Sequence, residues 1–351
     1  MRAVVMRNGE LVLDELPDPV PGEGELLVRV LACGICGSDL HALLRAGRIR
    51  DGEQAEDDSL LGTTSGDMVM GHEFCAEIID FGPGTERTLK LGARVVSVPS
   101  LLRPGGRAGI GYSTELPGGY GELMVLSEQR VLAVPDQLST EEAAMTEPMA
   151  VGEHAVARAR IEDGDVPLVI GCGPVGLAVI AALRSRGLGP IVAADYSAKR
   201  RELAVGLGAE VVVDPAERPS FDAWREAADS PEGDDERPAL IFECVGVPGM
   251  IQGVIDGAPR NSRAVIAGVC MEDDVIQPLV AIRKQINLQF VLGYTPEEFA
   301  ATLRALSTEQ IDVRPLITGR VDLDGVAEAF KTLADPSSHA KIMVVPGLDG
   351  T

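Results

Sequence analysis

An apolar run, a glycine-rich turn and a second apolar run in direct succession constrain this chain more than any other feature. Pro167-Leu168-Val169-Ile170 leads into Gly171-Cys172-Gly173-Pro174-Val175-Gly176, and a helix-like apolar stretch follows from Leu177 to Arg186. Gly-x-Gly-x-x-Gly arises readily by chance in a chain with 40 glycines, so the strand–turn–helix context carries the weight. In that context each glycine has a task. Gly171 permits the tight turn, Gly173 lets the backbone approach a pyrophosphate, and Gly176 allows helix and strand to pack closely. Pro174 and Val175 open the helix, whose N-terminus faces the phosphates. Nineteen residues after Gly176 comes Asp195, at the end of the next strand-like run, where a carboxylate binds the adenosine ribose hydroxyls.

Asp195 favours NAD over NADP. A carboxylate 4 Å from a 2′-phosphate meets a repulsion of about 4 kcal/mol per charge pair at an effective dielectric near 20. Lys199, Arg200 and Arg201 follow closely enough to offset that repulsion, or else are helix-surface charges with Lys199 near the adenosine edge.

From about residue 150 strand-like and helical runs alternate, which predicts a parallel, doubly wound sheet. Before residue 150 the pattern is short β-type runs, such as Leu26 to Leu31, Ala76 to Phe81 and Ala93 to Val98, punctuated by Gly and Pro. The expected organisation is a β-rich catalytic domain over 1–149, a dinucleotide-binding domain over 150–294 and a return to the first domain over 295–351. Residues 45 to 67 are expected to form a surface loop or short helix, and 215 to 238 a solvated helix and loop.

Composition narrows the classes of function. A formal charge of −23 repels phosphate backbones and anionic membranes, so no nucleic-acid or membrane partner is expected. No run approaches the ~18 apolar residues of a membrane span. The N-terminal stretch lacks a signal-peptide core, which points to the cytoplasm. Of the six cysteines only Cys33 and Cys36 are close neighbours; core or metal roles suit them better than a disulfide framework.

The first domain carries Ala32-Cys33-Gly34-Ile35-Cys36-Gly37-Ser38-Asp39-Leu40-His41 and Gly71-His72-Glu73-Phe74. With the dinucleotide fingerprint, these motifs resemble the zinc-containing medium-chain dehydrogenases, the superfamily of alcohol, polyol and threonine dehydrogenases. The resemblance runs from Met1 to the closing His339-Ala340-Lys341-Ile342-Met343-Val344-Val345-Pro346. It implies a GroES-like catalytic domain beside a Rossmann domain, a homodimer or homotetramer joined near 287–293, and a small alcohol or ketone substrate. It also implies one catalytic zinc, since such sites use three protein ligands and keep a position open. Cys36 and His72 resemble two of the ligands, Glu147 the third, and Glu73 an alternate ligand. Asp39 resembles the carboxylate that orients the histidine. Ser38 and His41 resemble a proton relay toward solvent, with the imidazole suited to that task by its ordinary pKa.

One departure stands out. Many relatives carry a four-cysteine lobe where this chain has Leu101 to Gly119, and that stretch holds no cysteine. No structural zinc is expected. The function implied is hydride transfer between NAD and a secondary alcohol, diol or polyol, or the ketone in reverse. A zinc-free enone or quinone reductase of the same superfamily is the alternative, and a non-enzymatic NAD-binding protein the third. Pocket-lining candidates are Tyr112, Met149 and Tyr294.

Overall fold

The computed structural model describes residues 1–50, 66–103, 106–230, 237–335 and 338–348. The chain forms two compact units, Met1–Glu147 with Leu316–Thr351, and Pro148–Pro315.

In the first unit the central strand is Glu25–Gly34, alternating buried apolar side chains with more exposed ones. Glu73–Phe81 pairs with it antiparallel, in a register that sets Gly34 opposite Glu73 and Cys33 opposite Phe74. On its other side Lys341–Val344 pairs antiparallel, with Met343 opposite Gly34. The full sheet runs Val131–Ala133, Arg94–Ser97, Glu73–Phe81, Glu25–Gly34, Lys341–Val344, Ile317–Val321, with Leu123–Ser127 also pairing on the central strand. A three-stranded sheet of Glu10–Glu15, Arg2–Arg7 and Met68–Val69 accompanies it. This register brings the tip of the GHE motif and the last strand to either side of Gly34. Gly34 is where the unit must be glycine: a Cβ there would collide with the Glu73 carboxylate and lie 3.3 Å from the Lys341 side chain.

The helix Gly37–Arg50 leaves directly from this strand end, with Asp39 in its first turn and Arg48 and Arg50 in its last, both suited to the helix dipole. The expected loop or short helix over 45–67 is thus helical to Arg50, and 51–65 lie outside the described residues. The stretch without cysteines begins as a hairpin, Ser100–Arg103 with Gly106–Gly109. It then lies against the GHE motif: the Gly118 amide donates to the Val69 carbonyl at 2.9 Å, and Gly119 to that of Gly71 at 2.8 Å.

The second unit holds a six-stranded parallel sheet in the order Val211–Val213, Val192–Ala194, Pro167–Ile170, Leu240–Glu243, Arg263–Ile266, Asn287–Phe290. This is the doubly wound order in which the chain reverses direction beside its first strand, the place where such sheets bind ligands. The fold expected from the sequence, a GroES-like domain plus a Rossmann sheet, is the one observed. Two details differ. The return to the first unit falls at Leu316 rather than 295, because the helix Pro296–Ser307 stays with the second unit. Its Glu298 caps the helix on Thr295 and hydrogen-bonds His154 at 2.8 Å. The helix Ser220–Ala227 is amphipathic rather than wholly solvated: Trp224 is buried and its indole N–H donates to the Val166 carbonyl at 2.8 Å. Residues 231–236 of that segment lie outside the described residues.

Candidate metal centre and dinucleotide turn

Cys36 sits just past the central strand, His72 immediately precedes the strand paired beside it, and Glu73 begins that strand. One ligand atom from each of these three residues lies within 4.8 Å of the others. His72 and Glu73 are buried, and Cys36 is partly exposed. Asp39 lies fully buried behind them. It accepts from the Cys36 amide at 3.1 Å, the Tyr120 hydroxyl at 2.6 Å and the Tyr112 hydroxyl at 3.3 Å. Burial pushes the Asp39 carboxyl up, but the neighbouring His72 and these donors outweigh it and hold the group below its ordinary value. For His72 burial works downward, yet Asp39 and Cys36 together raise the imidazole well above its usual value. The contact between them is electrostatic: His72 Nδ1 stands 3.4 Å from Asp39 Oδ1 without an aligned hydrogen bond. A compact thiol, imidazole and carboxylate set with a carboxylate behind the histidine is the donor chemistry that suits a divalent zinc.

Glu73 has a rival claim on it. The Lys341 ammonium lies 2.8 and 2.6 Å from its two carboxylate oxygens and donates also to the Ile35 carbonyl at 3.0 Å. Both side chains are almost wholly buried. Glu147, in the first turn of the helix Thr146–Arg158, stands outside the three-residue cluster, yet its charge acts on both Tyr112 and Lys341. Ser38 lies on the helix Gly37–Arg50 with its hydroxyl 2.6 Å from that of Tyr112. His41 is exposed one turn further along. Cys33, by contrast, is fully buried, and desolvation drives its thiol well above the ordinary value, as for an inert packing residue.

The glycine turn shows its logic in what added atoms would meet. Gly171 has φ +92°, and its amide donates to the Ala194 carbonyl at 2.8 Å. At Gly176 a Cβ would overlap the Gly171 carbonyl oxygen. At Gly173 a Cβ would meet only Arg200 Nη1, 3.9 Å away. Protein packing therefore dictates Gly176 and leaves Gly173 unexplained, unless something outside the protein approaches that backbone. Gly173 is also the N-cap of the helix Pro174–Ser185, whose free amides suit a pyrophosphate. Asp195 follows the strand Val192–Ala194. It accepts from the Cys172 amide and the Ser197 amide, each at 2.8 Å, which ties the carboxylate to the glycine turn. Arg200 Nη1 lies 3.9 Å from Asp195 Oδ2 and Arg201 Nη1 donates to the Asp195 carbonyl at 2.7 Å, while Lys199 is exposed on the same helix.

Three residues escaped the reading of the sequence. Lys341 stood only within the closing strand, Tyr120 was not singled out, and Arg200 was placed on the helix after Asp195 without a contact to it. Of the pocket-lining candidates, Tyr112 reaches the metal cluster, its ring centroid 5.1 Å from that of His72. Met149 is buried, and Tyr294 stacks on Phe299 at 5.5 Å.

Comparison with known proteins agrees with this geometry. Residues 22–136 match the alcohol dehydrogenase GroES-like domain, and residues 174–308 the zinc-binding dehydrogenase family. (R,R)-butanediol dehydrogenase of Bacillus subtilis (strain 168) is 30% identical over 346 residues, covering 96% of this chain and 97% of that one. Sorbitol dehydrogenase of Bos taurus is 30% identical over 342 residues, covering 94% and 91%. The crystal structure of 2R,3R-butanediol dehydrogenase from Bacillus subtilis superposes with TM-score 0.83 at 29% identity, covering 99% of each chain. The chain belongs to the zinc-dependent medium-chain dehydrogenase superfamily and is an oxidoreductase of the alcohol, diol and polyol dehydrogenase type. The zinc-free reductase and the non-enzymatic reading are not favoured.

Proposed function

We propose that this protein is a zinc- and NAD-dependent dehydrogenase that oxidises one secondary hydroxyl of a vicinal diol or polyol. The observation that carries the reading is the meeting of Cys36, His72 and Glu73 donor atoms within 4.8 Å. Butanediol and sorbitol, the substrates in the relatives' names, share adjacent secondary hydroxyls, and this supports the diol class.

Cys36 and His72 would hold the zinc, with Glu147 as third ligand. Glu73 is left as the alternate, because it must first give up Lys341. Bound there, zinc would supply Lewis-acid polarisation of the substrate oxygen and NAD would supply the hydride acceptor. Asp39 fixes the imidazole of His72. Ser38 would accept the proton of the substrate hydroxyl as it releases its own toward His41, one turn on, from which a proton leaves to solvent. The open backbone at Gly173 seats the pyrophosphate, and Asp195 receives the ribose hydroxyls while repelling a 2′-phosphate. No cysteine lies between Leu101 and Gly119, so one zinc per chain is proposed and no structural zinc.

Metal analysis joined to an activity panel tests this. About one zinc per chain, loss of NADH production in chelator, and the highest rates on vicinal diols or polyols are expected. Faster turnover with NADP than with NAD at equal, limiting concentration would remove the proposed role of Asp195. Less than half an equivalent of zinc, with activity untouched by chelator, would sink the reading as a whole.

The protein is further proposed to assemble with a second copy of itself. Asn287–Phe290 is the outermost strand of the parallel sheet, where an open row of amides and carbonyls invites pairing. Phe290 at its end and Leu292 just past it are 61% and 63% exposed, and Ile282 on the helix Pro278–Lys284 is 69% exposed. Light scattering of the wild type should give at least twice the 36.9 kDa chain mass. Phe290→Asp with Leu292→Asp should shift it to the single-chain mass; a wild type already at that mass rules the assembly out.

A further inference from the structure

The hairpin Ser100–Arg103 with Gly106–Gly109 lies against the end of the strand Leu123–Ser127, because the Leu102 amide donates to Ser127 Oγ at 2.9 Å. Arg107 stands opposite Leu102 in that hairpin. Arg130 closes the turn Glu128–Arg130, which follows directly on Ser127. The turn is also held from the neighbouring strand, where Ser97 Oγ donates to the Arg130 carbonyl at 3.2 Å. Two arginines are thus fixed on adjoining segments of one unit, and what they lack is a counter-charge. Arg103, on the same hairpin, has Glu25, with Nε 2.9 Å from Oε1. Glu128, the acid nearest Arg130 in sequence, gives its two oxygens to the Glu86 and Thr88 amides at 2.7 and 3.2 Å. Among the described residues neither the Arg107 nor the Arg130 guanidinium has a hydrogen-bond or ion-pair partner. Arg130 Nε is buried and unpaired. Burial, and then the charge of Arg107, hold the Arg130 guanidinium below its ordinary pKa. Ser100 adds a buried hydroxyl that is also without a partner. Its amide shares the Val98 carbonyl with Ser97 Oγ, at 2.7 and 3.0 Å, which ties it to the same corner of the sheet.

We propose that Arg107 and Arg130 form an oxyanion site that takes a phosphate group, free or carried on a small molecule, and uses none of the metal-cluster residues. The chain holds 54 acidic against 31 basic residues, so acids to neutralise two arginines are plentiful, yet none is placed there. A buried N–H without an acceptor costs free energy, and so does a like charge beside it. A phosphate relieves both at once. It carries about 1.5–2 negative charges at pH 7, enough for two guanidiniums, and its oxygens match the fork of N–H donors that each presents. A carboxylate would neutralise only one of the two. The inference stands apart from the dehydrogenase reading, since it needs neither zinc nor a particular alcohol.

Calorimetric titration of the full chain tests this, with inorganic phosphate in one arm and ethyl phosphate in the other. Ionic strength is held fixed, and NADH is present so that phosphate does not report on the glycine turn. Binding with a Kd of about 1 mM or tighter is expected. Arg107→Gln and Arg130→Gln should each weaken it at least tenfold, on the scale of one charge-assisted hydrogen bond. Arg107 is exposed, so its variant should fold, and without phosphate it should melt no earlier than wild type because a repulsion has gone. At about 10 mM phosphate and that Kd the wild-type midpoint should rise by roughly 3–6 °C, and that of either variant by less than about 1 °C. Ethyl phosphate binding at least tenfold tighter than inorganic phosphate would make an ester the occupant, and any smaller difference the free ion. No binding of either probe, or variants that bind both as the wild type does, would overturn the proposal.

Discussion

Lys341→Met is expected to lower the stability of the first unit by about 3–5 kcal/mol, the usual cost of removing one member of a buried ion pair. Lys341 and Glu73 are almost completely buried, and the ammonium touches both carboxylate oxygens. Burial alone would lower the lysine's pKa, but Glu73, with Cys36 and Glu147, more than compensates and raises it. Deletion of the ammonium leaves Glu73 desolvated with no counter-charge. Thermal melting of the metal-free protein should drop by roughly 10 °C, on the scale that relates free energy to midpoint for a unit of this size. Adding Glu73→Gln to the variant removes the stranded charge and should restore most of the loss. Zinc should raise the midpoint of Lys341→Met more than that of the wild type, because a divalent cation can take the place of the ammonium on Glu73. A Lys341→Met chain that melts with the wild type, or one that Glu73→Gln fails to rescue, would show that the pair carries no such burden.

The pair also marks the limit of what could be read from the sequence. Cys36, His72 and the glycine turn announce themselves because each belongs to a short motif whose spacing follows from the chemistry it serves. Strand alternation in one half, and strands alternating with helices in the other, were legible for the same reason: periodicity is local. Lys341 is 268 positions from Glu73, and the two meet only because separate strands flank Gly34 in fixed register. Tyr112 and Tyr120 reach Asp39 across 73 and 81 positions. No pattern within the chain encodes such meetings, since they are set by sheet order and by which strand edge a loop settles against. The late return to the first unit at Leu316 was missed for a related reason. Helix Pro296–Ser307 carries a clear capping box, which shows that a helix starts there but not which unit it packs on.

Gly176→Ala and Gly173→Ala should separate the two reasons a fingerprint glycine can have. At Gly176 the added methyl would overlap the Gly171 carbonyl oxygen and stand 2.9 Å from its carbon. Both are backbone atoms, so neither can rotate away, and the helix Pro174–Ser185 would have to lift from its strand. That helix buries an unbroken apolar run from Leu177 to Leu183. A loss of about 1–3 kcal/mol or more is expected from such overpacking, seen as a lowered melting point and poor yield whether or not cofactor is present. At Gly173 the methyl meets nothing closer than Arg200 Nη1 at 3.9 Å, and the backbone has ordinary angles, φ −69° and ψ −176°. Stability should change by no more than about 1 kcal/mol, the scale of an N-cap substitution. The methyl would, however, stand over the helix amides that face a bound pyrophosphate. NADH affinity, followed by fluorescence titration, should fall at least tenfold, about 1.4 kcal/mol. If Gly173→Ala binds NADH as tightly as the wild type, the backbone there makes no close approach to phosphate, and the seat assigned to the cofactor is wrong. If instead it melts as early as Gly176→Ala, the space above Gly173 belongs to the fold after all, and the argument from open space to ligand fails at its first step.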